Sequence, residues 1–430
     1  GAAACVVLGV APAKAVFQPF ADPLIFLFIG AFLIAEAIRL HGLDRRLAYR
    51  VLSSPWIGDR PVRILAAIAL VSVLISAFIS NTVTTAMMMA ITTGMLGAIE
   101  AASAGRSRRP SPGFATSLLL CVAFAASIGG LATPIGTPPN LIGLGFIREQ
   151  LGVRISFPGW CAIGLPIVAV MTTITVAVLA WMFPAGVERL EGVTEHVVRE
   201  RAKLGRWTTG QKSVAAAFAI TVLLWVLPGV LLAVLGRSHP LCDWLSRRLP
   251  EGVVALIGGI LLFVFPGDRD ADGRGRPALT WKEARIDWDI VLLYGGGLAL
   301  GELCFTTGLA AEVGRAITGW IPPGDRSGPV LVAVAAIVAV VTSEFTSNTA
   351  SVNMVVPVAI ALAQAAGVEP LPAALAATFA ASLGFMMPVS TPCNAMVYGS
   401  GRIPLRAMMG CGAIVDVAGG ITVTLAMLLL

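Results

Sequence analysis

Apolar residues run in blocks at about 2–12, 22–40, 63–99, 113–146, 158–184, 213–236, 252–267, 288–310, 328–366, 370–403 and 407–430. A helix crossing a bilayer once needs about 20 such residues, and most blocks are near that length. Two are nearly twice as long, 63–99 and 328–366. Each carries the same polar triplet at its middle, Ser80-Asn81-Thr82 and Ser347-Asn348-Thr349. A block of that length forms either one long broken helix or two half-helices that enter and leave on the same side.

The flanking charge separates these readings. Arg45, Arg46, Arg50, Arg60 and Arg63 precede the first long block, and Arg106, Arg108 and Arg109 follow it. Basic loops face the cytoplasm, so both flanks on one side make 63–99 a re-entrant hairpin with the triplet at its tip. Alternation then places 185–212 inside, with Arg189, Arg199, Arg201, Lys203, Arg206 and Lys212. It places 237–250 outside, where Arg237, Arg247 and Arg248 run against the rule. The second hairpin, 328–366, opens to the outside and has few basic residues on its flanks (Arg315, Arg326). Cysteines introduced at Ser53 and Ser107 should therefore both be labelled from the cytoplasm. Labelling from opposite sides would make the block a crossing helix.

The triplets belong to a larger repeat. Ile79-Ser-Asn-Thr-Val-Thr-Thr-Ala-Met-Met corresponds to Thr346-Ser-Asn-Thr-Ala-Ser-Val-Asn-Met-Val. A second polar break follows each, Gly136-Thr137-Pro138-Pro139-Asn140 and Ser390-Thr391-Pro392-Cys393-Asn394. Upstream, Asp22 to Gly30 aligns with Asp289 to Gly297, followed by Glu36 and Glu302, and by Gly42-Leu43 and Gly308-Leu309. Downstream, Ala126-Ser-Ile-Gly129 matches Ala381-Ser-Leu-Gly384. Residues 22–146 and 289–403 thus read as one unit duplicated. An odd number of crossings separates the copies, so they are inverted in the membrane, an arrangement that places a binding site near the midplane.

Composition agrees with a membrane protein. Of 430 residues 57% are hydrophobic and only 13% charged, against about 25% charged in a soluble domain. The net charge of +6 sits in loops beside apolar spans, so it does not indicate nucleic acid. Seven cysteines (Cys5, Cys121, Cys161, Cys242, Cys304, Cys393, Cys411) lie scattered without a CxxC pair and read as free thiols. The chain opens on Gly1 within an apolar stretch, Ala2 to Val10, that holds neither Met nor a basic leader, so a truncated first helix is expected.

The tips and breaks carry the chemistry. Backbone leaving a helix at membrane depth exposes carbonyls and amides that lipid cannot satisfy. Carbonyls with Ser, Thr and Asn oxygens make a hard, nearly neutral cage suited to Na⁺. Amides at a helix start suit a carboxylate. Neither motif contains Lys or Arg, so a dianion there needs bound cations to offset its burial.

These residues resemble the divalent anion/sodium symporter family, whose members carry dicarboxylates, citrate or sulfate, from Asp22 onward. The paired Ser-Asn-Thr tips and Thr-Pro breaks carry the resemblance. It implies an all-α polytopic membrane protein with two inverted repeats, re-entrant hairpins and broken helices, working by elevator-type alternating access. It implies a first Na⁺ site from Ser76, Ser80, Asn81 and the Gly136 carbonyl, and a second from Ser343, Thr346, Asn348 and the Ser390 carbonyl. Substrate carboxylates would meet Asn81, Thr82, Asn348 and Thr349, with Thr137, Pro138, Thr391 and Pro392 closing the cage. Cys393 replaces a second Pro usual in the family, which loosens that break. Ser343 and Thr346 are not the commonest residues at their positions but keep oxygen ligands.

The domains implied are scaffold helices at 1–57 and 213–324, a cytoplasmic linker at 185–212, and a transport domain in two halves. Its first half, 58–184, holds the hairpin 63–99, the broken helix 113–146 and the helix 158–184. Its second half, 325–430, holds the hairpin 328–366, the broken helix 370–403 and the last helix 407–430. A homodimer in the cell (inner or plasma) membrane is the implied assembly. The expected activity is Na⁺-coupled symport of a C4-dicarboxylate such as succinate, malate or fumarate. Na⁺-independent dicarboxylate exchange, and symport of citrate or sulfate, remain open.

Other signals are weaker. Asp268-Arg-Asp270-Ala-Asp272-Gly273 begins like a calcium loop, but Leu279 stands where the bidentate Glu belongs. His41, His196 and His239 form no catalytic or metal pattern, which argues against a membrane enzyme. An anion channel would line its pore with basic residues, and the motifs have none. Gly295-Gly296-Gly297 reads as a helix-packing site, and Glu36 as a partner of Arg39 one turn away. Glu344, just before the second tip, has two open roles, tuning the ion site or supporting the structure.

Overall fold

The computed structural model describes residues 1–103, 109–236, 239–240, 244–245, 248–269, 273–320 and 327–430. Arg106, Ser107, Arg108, Arg237, Cys242, Arg247, Asp270, Asp272 and Arg326 lie outside the described residues. Among the described residues the regular structure is helical, and nine helices are long and apolar enough to cross a membrane.

Both long blocks fold back on themselves. The first breaks between Pro61–Ser76 and Asn81–Ala102, the second between Gly328–Phe345 and Asn348–Ala366. The arms of each hairpin pack on each other and on the same following helix, Pro112–Gly129 in the first half and Pro370–Ala380 in the second. Across the second hairpin Ser351 Oγ donates to the Ala339 carbonyl at 2.9 Å, which ties the two arms together. Local signals set the ends. Pro occupies the first turn of Pro61–Ser76, Pro112–Gly129, Gly328–Phe345 and Pro370–Ala380, where its missing N–H costs no helix bond. Gly367, at φ 73°, closes Asn348–Ala366 in the left-handed region that other residues resist.

The chain divides into two compact units. Unit 1 comprises Gly1–Asp44, Leu144–Ala162 and Arg206–Gly308. In it Pro23–Leu40 packs on Glu251–Val264 so closely that a Cβ at Gly30 would lie 2.3 Å from the Ala255 carbonyl carbon. Asp22 caps the first of these helices through the Leu24 N–H at 2.8 Å, accepts the Tyr294 hydroxyl at 3.1 Å and pairs with Arg148. The Gly295 position packs against the Phe20 ring, whereas Gly296 meets nothing closer than 3.9 Å. Glu36 pairs with Arg39, as the one-turn spacing predicts.

Unit 2 comprises Arg45–Gly143, Ile163–Gly205 and Leu309–Leu430, and holds both hairpins and both breaks. The polar stretch after residue 184 contains a helix, Val193–Lys203, laid on Asn81–Ala102 with His196 against Gly94. Leu405–Leu428 packs on Gly328–Phe345 and Pro370–Ala380.

Candidate functional site

Each tip is closed by the same bond. Ser76 Oγ donates to Asn81 Oδ1 at 2.7 Å, and Ser343 Oγ has Asn348 Oδ1 and the Ala381 carbonyl, both at 2.8 Å, as acceptors for its one proton. This holds the Asn side chain back over its own hairpin, with the amide NH₂ left as a donor. Asn348 directs that NH₂ at the Ser382 carbonyl at 3.4 Å. The second tip has a further brace, since Ser347 Oγ caps the Ala350 N–H at 3.2 Å, whereas Ser80 makes no cap bond. Thr346 gives its hydroxyl proton to the Thr342 carbonyl at 2.7 Å, which leaves its lone pairs free to face a cation.

The breaks repeat as closely. Between Pro112–Gly129 and Pro138–Leu151, Asn140 Nδ2 donates to the Gly130 and Thr133 carbonyls at 2.8 Å each. Between Pro370–Ala380 and Pro392–Tyr398, Asn394 Nδ2 donates to the Gly384 and Met387 carbonyls at 2.9 and 3.1 Å. The Asn of each Thr-Pro-x-Asn thus knots its loop. Thr391 Oγ1 adds a cap to the Asn394 N–H at 3.1 Å.

Tip and break meet within each half. A Cβ on Gly130 would fall 2.6 Å from Asn81 Oδ1 and 3.1 Å from Thr137 Cβ. One on Gly136 would fall 2.5 Å from the Gly130 carbonyl oxygen and 3.0 Å from that of Ala77. Only glycine lets these backbones approach so closely. In the second half a Cβ on Gly384 would lie 3.2 Å from Ser343 Oγ and 3.3 Å from Ser390 Cβ. The implied sodium sets are therefore brought together as Ser76, Asn81 and Gly136, and as Ser343, Asn348 and Ser390.

Asn81, Thr82, Ser80, Asn348, Thr349, Thr346 and Pro138 are half-buried, Pro392 is exposed, and Thr137 and Thr391 are buried. The two halves also touch each other. Pro392–Tyr398 packs on Asn81–Ala102 and Pro112–Gly129. The Cys393 thiol lies beside Thr82, Thr85 and Ser127, and the Phe124 and Phe385 rings meet at 4.9 Å.

One pair of equivalent buried oxygens lacks any hydrogen-bond partner in the protein, Asn140 Oδ1 with Asn394 Oδ1, while the equivalent Ser127 and Ser382 hydroxyls are buried nearby in sequence, the first beside the Cys393 thiol. An unsatisfied buried polar atom costs about 1–3 kcal/mol, so its recurrence at the same place in both halves marks a built feature. The donor set of Ser, Thr and Asn oxygens with free carbonyls fits a hard monovalent cation. Among the described residues no group of three His, Cys, Asp or Glu is placed to hold a metal ion.

Sequence reasoning missed several contributors. Thr133 donates to the Ala77 carbonyl and ties the first break to its hairpin. Asp416 accepts the Phe385 N–H at 3.3 Å in the second half. Neither sits in a repeated motif, and only their long-range partners reveal them. Ser127 and Ser382 lie within the aligned Ala-Ser-x-Gly stretches, which did hold the signal.

Residues 2–430 match the sodium:sulfate symporter transmembrane region family. The chain belongs to that family. It is a multi-pass integral membrane transporter, not an enzyme. Over 415 residues, 95% of this chain and 76% of the relative, it is 30% identical to the sodium-dependent dicarboxylate transporter SdcS of Staphylococcus aureus (strain USA300). The same figures hold for SdcS of strain MW2. Two solved structures share the fold. The Alcanivorax borkumensis YdaH transporter gives a TM-score of 0.60 at 15% identity, over 96% of this chain and 86% of that one. Neisseria gonorrhoeae MtrF gives 0.60 at 10% identity, over 99% and 83%. At these identities the likeness is one of fold alone.

Proposed function

We propose that this symporter-family chain couples Na⁺ entry to uptake of a C4-dicarboxylate of the succinate type. The observation that carries this reading is the pair of matching cages, Ser76–Asn81 and Ser343–Asn348, each backed by a knotted break. Neither motif contains a lysine or arginine. A buried dianion would be costly without compensating positive charge, and two Na⁺ ions supply it. The first ion takes Ser76, Ser80, Asn81 and the Gly136 carbonyl, and the second takes Ser343, Thr346, Asn348 and the Ser390 carbonyl. The substrate carboxylates take the amide and hydroxyl donors of Asn81, Thr82, Asn348 and Thr349 between them, with Thr137, Pro138, Thr391 and Pro392 around the cage. The relative SdcS, a sodium-dependent dicarboxylate transporter, supports the choice of substrate class.

In this reading the copies lie inverted in a cell membrane, the hairpins are re-entrant, and unit 2 carries the cargo while unit 1 serves as scaffold within a homodimer. Elevator-type movement of the hairpin unit gives alternating access.

The test is succinate uptake into proteoliposomes. Accumulation should follow an inward Na⁺ gradient and should not be supported by K⁺. Equal uptake in Na⁺-free buffer, dependent on internal dicarboxylate, would establish an exchanger instead.

A further inference from the structure

The two cages share their bonds but not their charge. Glu344, the next residue after Ser343, is 4% exposed in the middle of a membrane block. Its carboxylate accepts the Met386 N–H at 2.9 Å, the Met387 N–H at 3.0 Å and the Ser390 hydroxyl at 2.7 Å. The Glu344 carbonyl, at 3.0 Å, is a second acceptor for that same Ser390 proton. Glu344 is the acceptor in all four contacts, and it bridges the hairpin to the loop that presents the Ser390 carbonyl. Counting from each tip asparagine, the first-half counterpart is Ala77, which has only its backbone carbonyl to offer Thr133. Ser390 is replaced there by Gly136, which has no side chain to donate.

The second cage therefore has a carboxylate in its wall where the first has none. Asp416 lies within hydrogen-bonding reach of Glu344. Among the described residues no lysine, arginine or histidine pairs with either carboxyl. An acid buried in a membrane protein without a fixed countercharge is costly. A mobile cation in the adjacent cage removes that cost.

We infer that Glu344 is a positioning residue that supplies fixed negative charge to the second sodium cage, so that this cage fills at a lower sodium concentration than the first. The inference rests on the sodium-cage reading above and adds an inequality between cages that the repeat alone does not contain.

The test uses the purified full chain, titrated with NaCl against choline chloride in the absence of substrate and read by thermal stabilisation. Glu344→Gln keeps the size and one acceptor but removes the charge. It should raise the half-saturating sodium concentration at least about tenfold, while the succinate KM at saturating sodium changes less than about threefold. Glu100→Gln, which removes an exposed acid paired with Arg402 in the same unit, should stay within about threefold of the parent in its sodium midpoint. A second pair of variants works even if Glu344→Gln fails to fold. Stabilisation at low sodium should survive Ser76→Ala and vanish in Ser343→Ala.

A parent-like sodium midpoint in Glu344→Gln, an equal shift in Glu344→Gln and Glu100→Gln, or equal losses in the two serine variants would each overturn the inference. All three leave the cage reading standing if the parent protein responds to sodium. A parent protein with no sodium-specific response would remove the cages themselves, and the inference with them.

Discussion

Asn348→Asp should abolish sodium-driven succinate uptake, and Asn81→Asp should do the same, with both variants still folded and inserted. The replacement is nearly isosteric and keeps the oxygen that accepts from Ser343 or Ser76. What changes is the other atom, where an NH₂ donor becomes a carboxylate oxygen. In Asn348 that atom now faces the Ser382 carbonyl at 3.4 Å, so two acceptors would oppose each other. The larger effect falls on the substrate. Like charges about 4 Å apart repel by about 4 kcal/mol at an effective dielectric of 20. Even after relaxation this leaves at least about a hundredfold loss of substrate affinity. Sodium is affected differently, because an added carboxylate favours a cation. Sodium-dependent thermal stabilisation should therefore persist in both variants while uptake is lost. Near-normal substrate affinity in either variant would remove that asparagine from the site.

Gly412→Ala should damage both stability and transport, because the added methyl has nowhere to go. A Cβ there would lie 2.4 Å from the carbonyl carbon and oxygen of Phe385 and 2.6 Å from Met386 Cα. These neighbours are backbone, which cannot rotate away as a side chain would. They also start the loop that Glu344 and Asp416 hold through the Phe385, Met386 and Met387 N–H groups. Overpacking of this kind costs about 1–3 kcal/mol, and here it displaces the wall of the proposed second cage. A lower melting temperature and uptake near background are expected. Gly420→Ala on the same helix meets nothing within 4 Å and should behave like the parent. Equal behaviour of the two variants would show that Leu405–Leu428 is free to move away from the break.

Much of this was legible because the polar interruptions are local events. A Ser-Asn-Thr triplet inside a double-length apolar block ends one helix and starts another, and both blocks fold back there. Pro in the first turn of Pro138–Leu151 and of Pro392–Tyr398 starts the helix after each break. Alignment misled in one place. Asp22 and Asp289 match in sequence, yet Asp22 is a buried helix cap paired with Arg148, while Asp289 lies exposed in the first turn of Trp288–Thr306. An aligned residue keeps its role only when its partners meet it again: Arg402 stands at the break offset from Arg148 but pairs with Glu100, and Leu27 stands where Tyr294 does.

The sequence by itself determined the membrane class, the helix interruptions and which small polar residues stand at them. These follow from apolar length and from the chemistry of Pro, Gly, Ser and Asn along a short stretch of chain. Only the tertiary structure decided what closes around those residues. It turns Ser76 onto Asn81, lays Cys393 beside Thr82, leaves Asn140 Oδ1 and Asn394 Oδ1 unpartnered, and brings the Met386, Met387 and Ser390 donors to Glu344. The repeat made the two halves look alike. The difference in charge between them is written locally, as Glu344 against Ala77. The donors that Glu344 meets, Met386, Met387 and Ser390, lie far along the chain, where no local pattern constrains which acid meets which amide.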